Sequence, residues 1–121
     1  MSFAVWGAFA MALAVAAGAF GAHGLQKILT EKALATWHTG AEYHVYHALG
    51  LFAVAWIHSA GGGALATWAG WLMVAGLVLF SGSLYALSLS GMKWLGAITP
   101  LGGTAWIAAW ICLALAARKI A

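Results

Sequence analysis

The sequence predicts an all-α integral membrane protein, a four-helix bundle of up-down topology with a short amphipathic surface helix after the first span. Three observations predict it. Hydrophobic residues make up 65% of the 121 residues and charged residues only 6%. The apolar residues fall into four long runs, each close to the roughly 20 residues that a helix needs to cross a hydrocarbon core of about 30 Å. The runs are continuous and rich in Ala and Leu rather than alternating, which argues against strands.

The spans are expected at about 3–22, 41–59, 64–89 and 94–117, within one transmembrane domain covering 1–121. The first run has no positive segment before it and is longer than the apolar part of a secretory signal, so it is expected to be a true helix. Its small residues Gly7, Ala14, Gly18 and Gly21 recur at near-heptad spacing, with Met11 between them. Such a face lets a neighbouring helix approach closely. Between His23 and Gly40 lies the one sizeable polar stretch. Leu25, Ile28 and Leu29, then Leu34 and Trp37, fall on one side of helical turns, as a surface helix requires. Thr30 is the expected N-cap, with Glu31 at the positive helix end, and a bend near Gly40 would join this helix to the second span. Ala60–Gly63 and Ser90–Lys93 are short links, which makes the spans they connect antiparallel neighbours.

Four spans put the polar residues at one end. His23 closes the first run. Glu42, Tyr43, His44 and His47 open the second. Ser81, Ser83, Tyr85 and Ser88 end the third, and Thr99 and Pro100 open the fourth. Polar groups inside a bilayer face protein or water, because lipid cannot satisfy them. At 100° per residue, His44, His47 and His58 point within about 60° of one another, while Glu42 and Tyr46 project nearly opposite. A polar pocket is therefore expected from His23, Tyr43, His47, Ser81, Ser83, Tyr85 and Thr99, with His23 approaching His47. Thr99-Pro100-Leu101-Gly102-Gly103 reads in two ways. It is either a Pro-kinked helix whose glycines serve packing, or an N-cap and first helical residue with Thr99, Pro100, Gly102 and Gly103 forming a helix N-terminus site below the membrane surface.

Four stretches together resemble the YgdD-like group of small bacterial membrane proteins, related to transmembrane protein 256 and classed as a domain of unknown function. They are Gly18-Ala19-Phe20-Gly21-Ala22-His23-Gly24-Leu25, Tyr43-His44-Val45-Tyr46-His47-Ala48-Leu49, Phe80-Ser81-Gly82-Ser83-Leu84-Tyr85 and Ile98-Thr99-Pro100-Leu101-Gly102-Gly103. The resemblance covers essentially the whole chain. It implies four membrane helices with no established activity, and a shared pattern at His23, Tyr43, His47, Ser81, Ser83, Tyr85, Thr99 and Pro100. His44 and His58 lie outside that pattern, and Glu31-Lys32 replaces a Ser-Pro-like turn.

The functional expectation is a non-enzymatic structural or accessory membrane component, with polar side chains as packing glue. Its partners would be the lipid bilayer, further copies of itself or a larger membrane complex, in the bacterial inner membrane. Binding or transport of a lipid, small hydrophobic molecule or ion is the second class. A haem or metal redox protein is the third. His44 and His58 stand fourteen residues apart, a spacing that suits two stacked haems, but only His23 could supply a further axial ligand. Zinc would need three protein ligands, and Glu42 points away from His23 and His47. Ser81 or Ser83 beside His47 lacks a carboxylate orienter for hydrolysis. No catalytic residue, metal ligand or cofactor is assigned. The net charge of +3 is scattered, which excludes a nucleic-acid surface. Cys112 has no partner cysteine and reads as a packing residue. Lys27, Lys32 and Lys93 on one side nearly balance Arg118, Lys119 and the amino terminus on the other, with a lean towards the lysine side being cytoplasmic.

Overall fold

A computed structural model describes residues 2–121, and every regular element in them is helical. Helix α1 is Phe3–Ala22, begun by Ser2, whose hydroxyl accepts the Ala4 N–H. A 3-10 turn at Leu25–Lys27 leads to α2, Glu31–Ile57. Helix α3 is Gly63–Gly76, α4 is Ser83–Ser90 and α5 is Thr99–Ile120. Wide π turns occupy His58–Gly62 and Leu77–Gly82, and a 3-10 turn at Lys93–Ala97 precedes α5.

Among the described residues, three helical stretches are long and apolar enough to cross a membrane: Phe3–Lys27, Glu31–Ser90 and Lys93–Ile120. The expected count was four. The difference lies in the second stretch, whose 60 residues would reach about 90 Å if straight. It is not straight. Gly61 and Gly63 have φ of 105° and 65°, a left-handed backbone that only glycine adopts cheaply. Beyond them the chain runs back along α2, since Ser81 Oγ donates to Gly40 O at 2.7 Å.

Among the described residues, the expected surface helix is not separate but forms the start of α2. Thr30 caps α2 by accepting the Ala33 N–H, and the helix then continues through Gly40 without a bend. Gly40 instead lets Tyr85 and Leu84 approach, since a Cβ there would lie 3.1 Å from the Tyr85 ring. Helix α5 starts at Thr99, with Pro100 in its first turn, where a missing N–H costs nothing.

The core joins Phe3 with Leu51, Val54 and Ile57 of α2, Ala66, Ala69 and Met73 of α3, and Trp106, Ala109, Leu113 and Ala116 of α5. Small residues set the spacing. A Cβ on Gly7 would meet Ala48 O and Leu51 Cβ, each at 3.2 Å, and one on Gly102 would fall 2.8 Å from the Leu79 carbonyl carbon. Gly102 therefore lies directly on the backbone of the π turn. Of the small face expected on α1, Gly7, Ala14 and Gly21 are buried, but Gly18 has nothing near it.

Gly102→Leu should drive α5 off the π turn and lower stability in detergent by at least about 1–3 kcal/mol. Gly18→Ala should leave the melting temperature unchanged or raise it. Thermal unfolding of the two variants beside the wild type checks both.

Candidate functional site

His47 stands at the centre of the polar residues. It is 7% exposed. Its ring lies flat on the Trp106 indole, with centroids 3.6 Å apart and planes 2° from parallel. Nδ1 is 2.8 Å from Tyr43 O, one turn back on α2. Trp110 donates its Nε1–H to Nε2 at 3.1 Å. A carbonyl only accepts and an indole N–H only donates, so the partners select one tautomer, protonated at Nδ1 and bare at Nε2.

Trp106 carries the same joint further. Its Nε1–H donates to Met73 O at 3.1 Å, in the buried interior between α5 and α3. The indole can reach that carbonyl because Gly76 has no side chain; any Cβ there would collide with the ring. Phe80 and Tyr43 close the aromatic cluster, with ring centroids 4.7 and 6.4 Å from Trp106. Tyr43, His47, Phe80, Gly103, Trp106 and Trp110 line a shallow recess of about 260 Å³.

The other expected residues are distributed around this stack rather than gathered in one pocket. His44 Nδ1 shares a hydrogen bond with the Tyr85 hydroxyl at 2.9 Å, tying α2 to α4. Ser81 reaches the Gly40 carbonyl. Ser83 Oγ lies 2.9 Å from Phe80 O and 2.6 Å from Thr99 Oγ1, which links α4 to the start of α5. Thr99 is thus engaged sideways and does not cap the helix, and Ile98 holds the cap position without a side-chain bond. Gly102 is filled by the Leu79–Phe80 backbone and Gly103 faces the Phe80 ring, while Pro100 is exposed. The helix N-terminus formed by Thr99, Pro100, Gly102 and Gly103 is therefore packed against protein.

The expected approach of His23 to His47 does not occur. His23 caps the end of α1 and is exposed, whereas both ring nitrogens of His47 are engaged by Tyr43 and Trp110. His58 is exposed at the far end of α2, edge-on to Phe3. Glu42 is also exposed and accepts the Tyr46 hydroxyl. Among the described residues, no three of His, Cys, Asp and Glu come together as a metal site.

Trp37, expected only as part of the apolar side of a surface helix, joins α1 to α2. Its Nε1–H donates to Ala17 O of α1 at 2.8 Å, and a Cβ on Gly21 would lie 2.7 Å from its ring. This is the Trp106 arrangement repeated between α1 and α2. The signal was present as a glycine in one run and a tryptophan in another, but nothing local pairs them. Gly76 and Met73 were missed for the same reason.

Comparison with known proteins gives a family and a membrane setting. Residues 17–103 match the family model described as "Protein of unknown function (DUF423)". The chain is similar to the UPF0382 membrane protein YwdK of Bacillus subtilis, 56% identical over 119 residues that cover 97% of this chain and 96% of that protein. It is also similar to a UPF0382 membrane protein of Staphylococcus epidermidis, 44% identical over 119 residues, covering 98% of this chain and 97% of the relative. No solved structure matches.

His47→Ala should lower stability by about 1–3 kcal/mol, because the Trp110 N–H loses its acceptor and Trp106 its stacking partner. His47→Phe should recover the stacking share of that loss but not the rest. Nitrogen NMR of ¹⁵N-histidine protein should show His47 protonated at Nδ1 alone; a proton on Nε2 would contradict the Trp110 bond.

Proposed function

The chain belongs to the DUF423 family, and we propose that it is a non-enzymatic structural or accessory membrane protein that works as a symmetric oligomer of itself. It is a membrane protein, as its relatives are named. In this reading the chain is one domain, 1–121, that crosses the bilayer four times. The reversal at Gly61–Gly63 makes Glu31–Ser90 two passes, α2 and then α3 with α4, giving an up-down four-helix bundle. Kinship with the YgdD-like group and transmembrane protein 256 is part of the same proposal and rests on the four stretches quoted above.

One observation carries the oligomer: Glu42 and Tyr46 face outwards from α2, in the direction opposite to the core residues His44, Ala48 and Leu51. Glu42 stands fifteen residues above Ile57, about 22 Å of helix rise. With Ile57 at one edge of a core about 30 Å thick, Glu42 falls within its outer third at the other side. A carboxylate there is expensive against lipid and is ordinarily covered by protein. A two-fold axis along the membrane normal brings the same face of a second copy to the same depth, so that each Glu42–Tyr46 pair meets its counterpart. Leu49 continues this face below with an exposed apolar side chain.

The internal polar groups support the structural side of this reading. Among the described residues, every buried side-chain nitrogen and oxygen has a hydrogen-bond partner. Ser81, Trp37 and Trp106 all donate to backbone carbonyls of a neighbouring helix. Groups used in this way join helices.

Native mass spectrometry of gently solubilised protein tests the proposal. A defined oligomer is expected for the wild type and for Glu42→Gln, and monomer for Glu42→Leu. A monomeric wild type, or an oligomer unchanged by Glu42→Leu, would contradict it.

A further inference from the structure

We infer that the cleft between the start of α2 and the end of α4 binds a phosphate group at the membrane surface, with the headgroup of an anionic lipid as the ligand chemistry. The cleft has a volume of about 410 Å³. Lys32, from the first turn of α2, and Lys93, from the connection between α4 and α5, both line it. They lie far apart in sequence and are brought together only by the reversal at Gly61–Gly63.

Charge and donors favour an anion. Neither carboxylate of the chain, Glu31 or Glu42, belongs to the lining, so its two ammonium groups face no internal counter-ion there. The hydroxyls of Thr36 and Ser88 are already donated to Lys32 O and Leu84 O. Thr30 differs: its oxygen accepts the Ala33 N–H, which leaves its own O–H free to donate into the cleft. The first turn of α2 adds the positive end of a helix dipole, which Glu31 in the same turn offsets in part. Two ammonium groups, a hydroxyl and a helix end form a donor set for tetrahedral oxyanions.

Depth favours the lipid. The 27 residues of α2 rise about 40 Å, roughly 10 Å more than the hydrocarbon core. With Ile57 at one edge of the core, the first turns of α2 stand in the headgroup layer at the other, where lipid phosphates are concentrated. Basic pockets between helices at that level are recurrent sites for anionic headgroups. Leu87 gives the cleft an apolar wall. The inference is independent of the Glu42 face, which lies on the outer side of α2.

The test is native mass spectrometry of the full chain titrated separately with phosphatidylglycerol, phosphatidylcholine and inorganic phosphate. The wild type would be compared with Lys32→Gln/Lys93→Gln, and with Lys27→Gln/Lys119→Gln, which removes equal charge outside the cleft. Melting curves establish that each variant is folded, and Lys93→Gln alone, placed on the connection, replaces the double variant if that does not fold. Phosphatidylglycerol should be retained in preference to phosphatidylcholine, at least about tenfold more weakly by the cleft variant and equally by the control. Inorganic phosphate binding with the same lysine dependence, without lipid retention, would support the site with free phosphate as its source. Equal lipid and phosphate binding by wild type and cleft variant, or equal loss in the control, would overturn the inference.

Discussion

The indole of Trp106 lies across Gly76 and donates to the Met73 carbonyl on the neighbouring helix. Much of the site's geometry depends on this contact. It fixes the approach of α5 to α3, and the flat outer face of the same indole is the surface on which His47 stacks. His47 then orients its ring between Tyr43 O and Trp110 Nε1, so that one glycine governs a chain of contacts running from α3 through α5 to α2. The physical reason is the solvent. Lipid offers no hydrogen bonds, so each polar side chain in the membrane must find its partner within protein. Backbone carbonyls on the next helix are available to those that come close enough, and glycine permits that closeness.

The same solution recurs at Trp37, laid on Gly21 and bonded to Ala17 O between α1 and α2. The two joints sit in different helix pairs, α1 with α2 and α3 with α5, and His44–Tyr85 and Ser81–Gly40 fasten α2 to the other side of the bundle. Lipid tails are as apolar as leucine, so apolar packing between helices has little solvent-driven advantage there. Close backbone approach and internal hydrogen bonds take its place. Polarity left outside this network, at Glu42 and at the Lys32–Lys93 cleft, is what the two proposals above rest on.

Much of the fold was legible because bilayer thickness imposes a length on every span. Continuous apolar runs disclosed the helical class and the membrane location, and the glycine links disclosed the reversals. Thr30 was readable as a cap because capping is local chemistry. What was illegible depends on three-dimensional neighbours. Gly40 looked like a bend but is a contact surface for Tyr85, and Gly18 matched a small-residue stripe yet meets nothing. His47 was found from depth and helical angle, but its partners were not, since the tryptophans that hold it come from another helix. His23 shares its end of the molecule with His47, and proximity in depth alone did not imply contact.

The central claim is that Gly76 exists to admit the Trp106 indole, and a double-mutant cycle in detergent tests it most directly. Gly76→Ala would be measured in the wild-type and Trp106→Leu backgrounds by reversible unfolding. Because the added methyl collides with the indole itself, its cost should fall by about 1 kcal/mol or more once the ring is gone, within the range of direct couplings. Equal costs in the two backgrounds would contradict the account and make Gly76 a glycine of other origin.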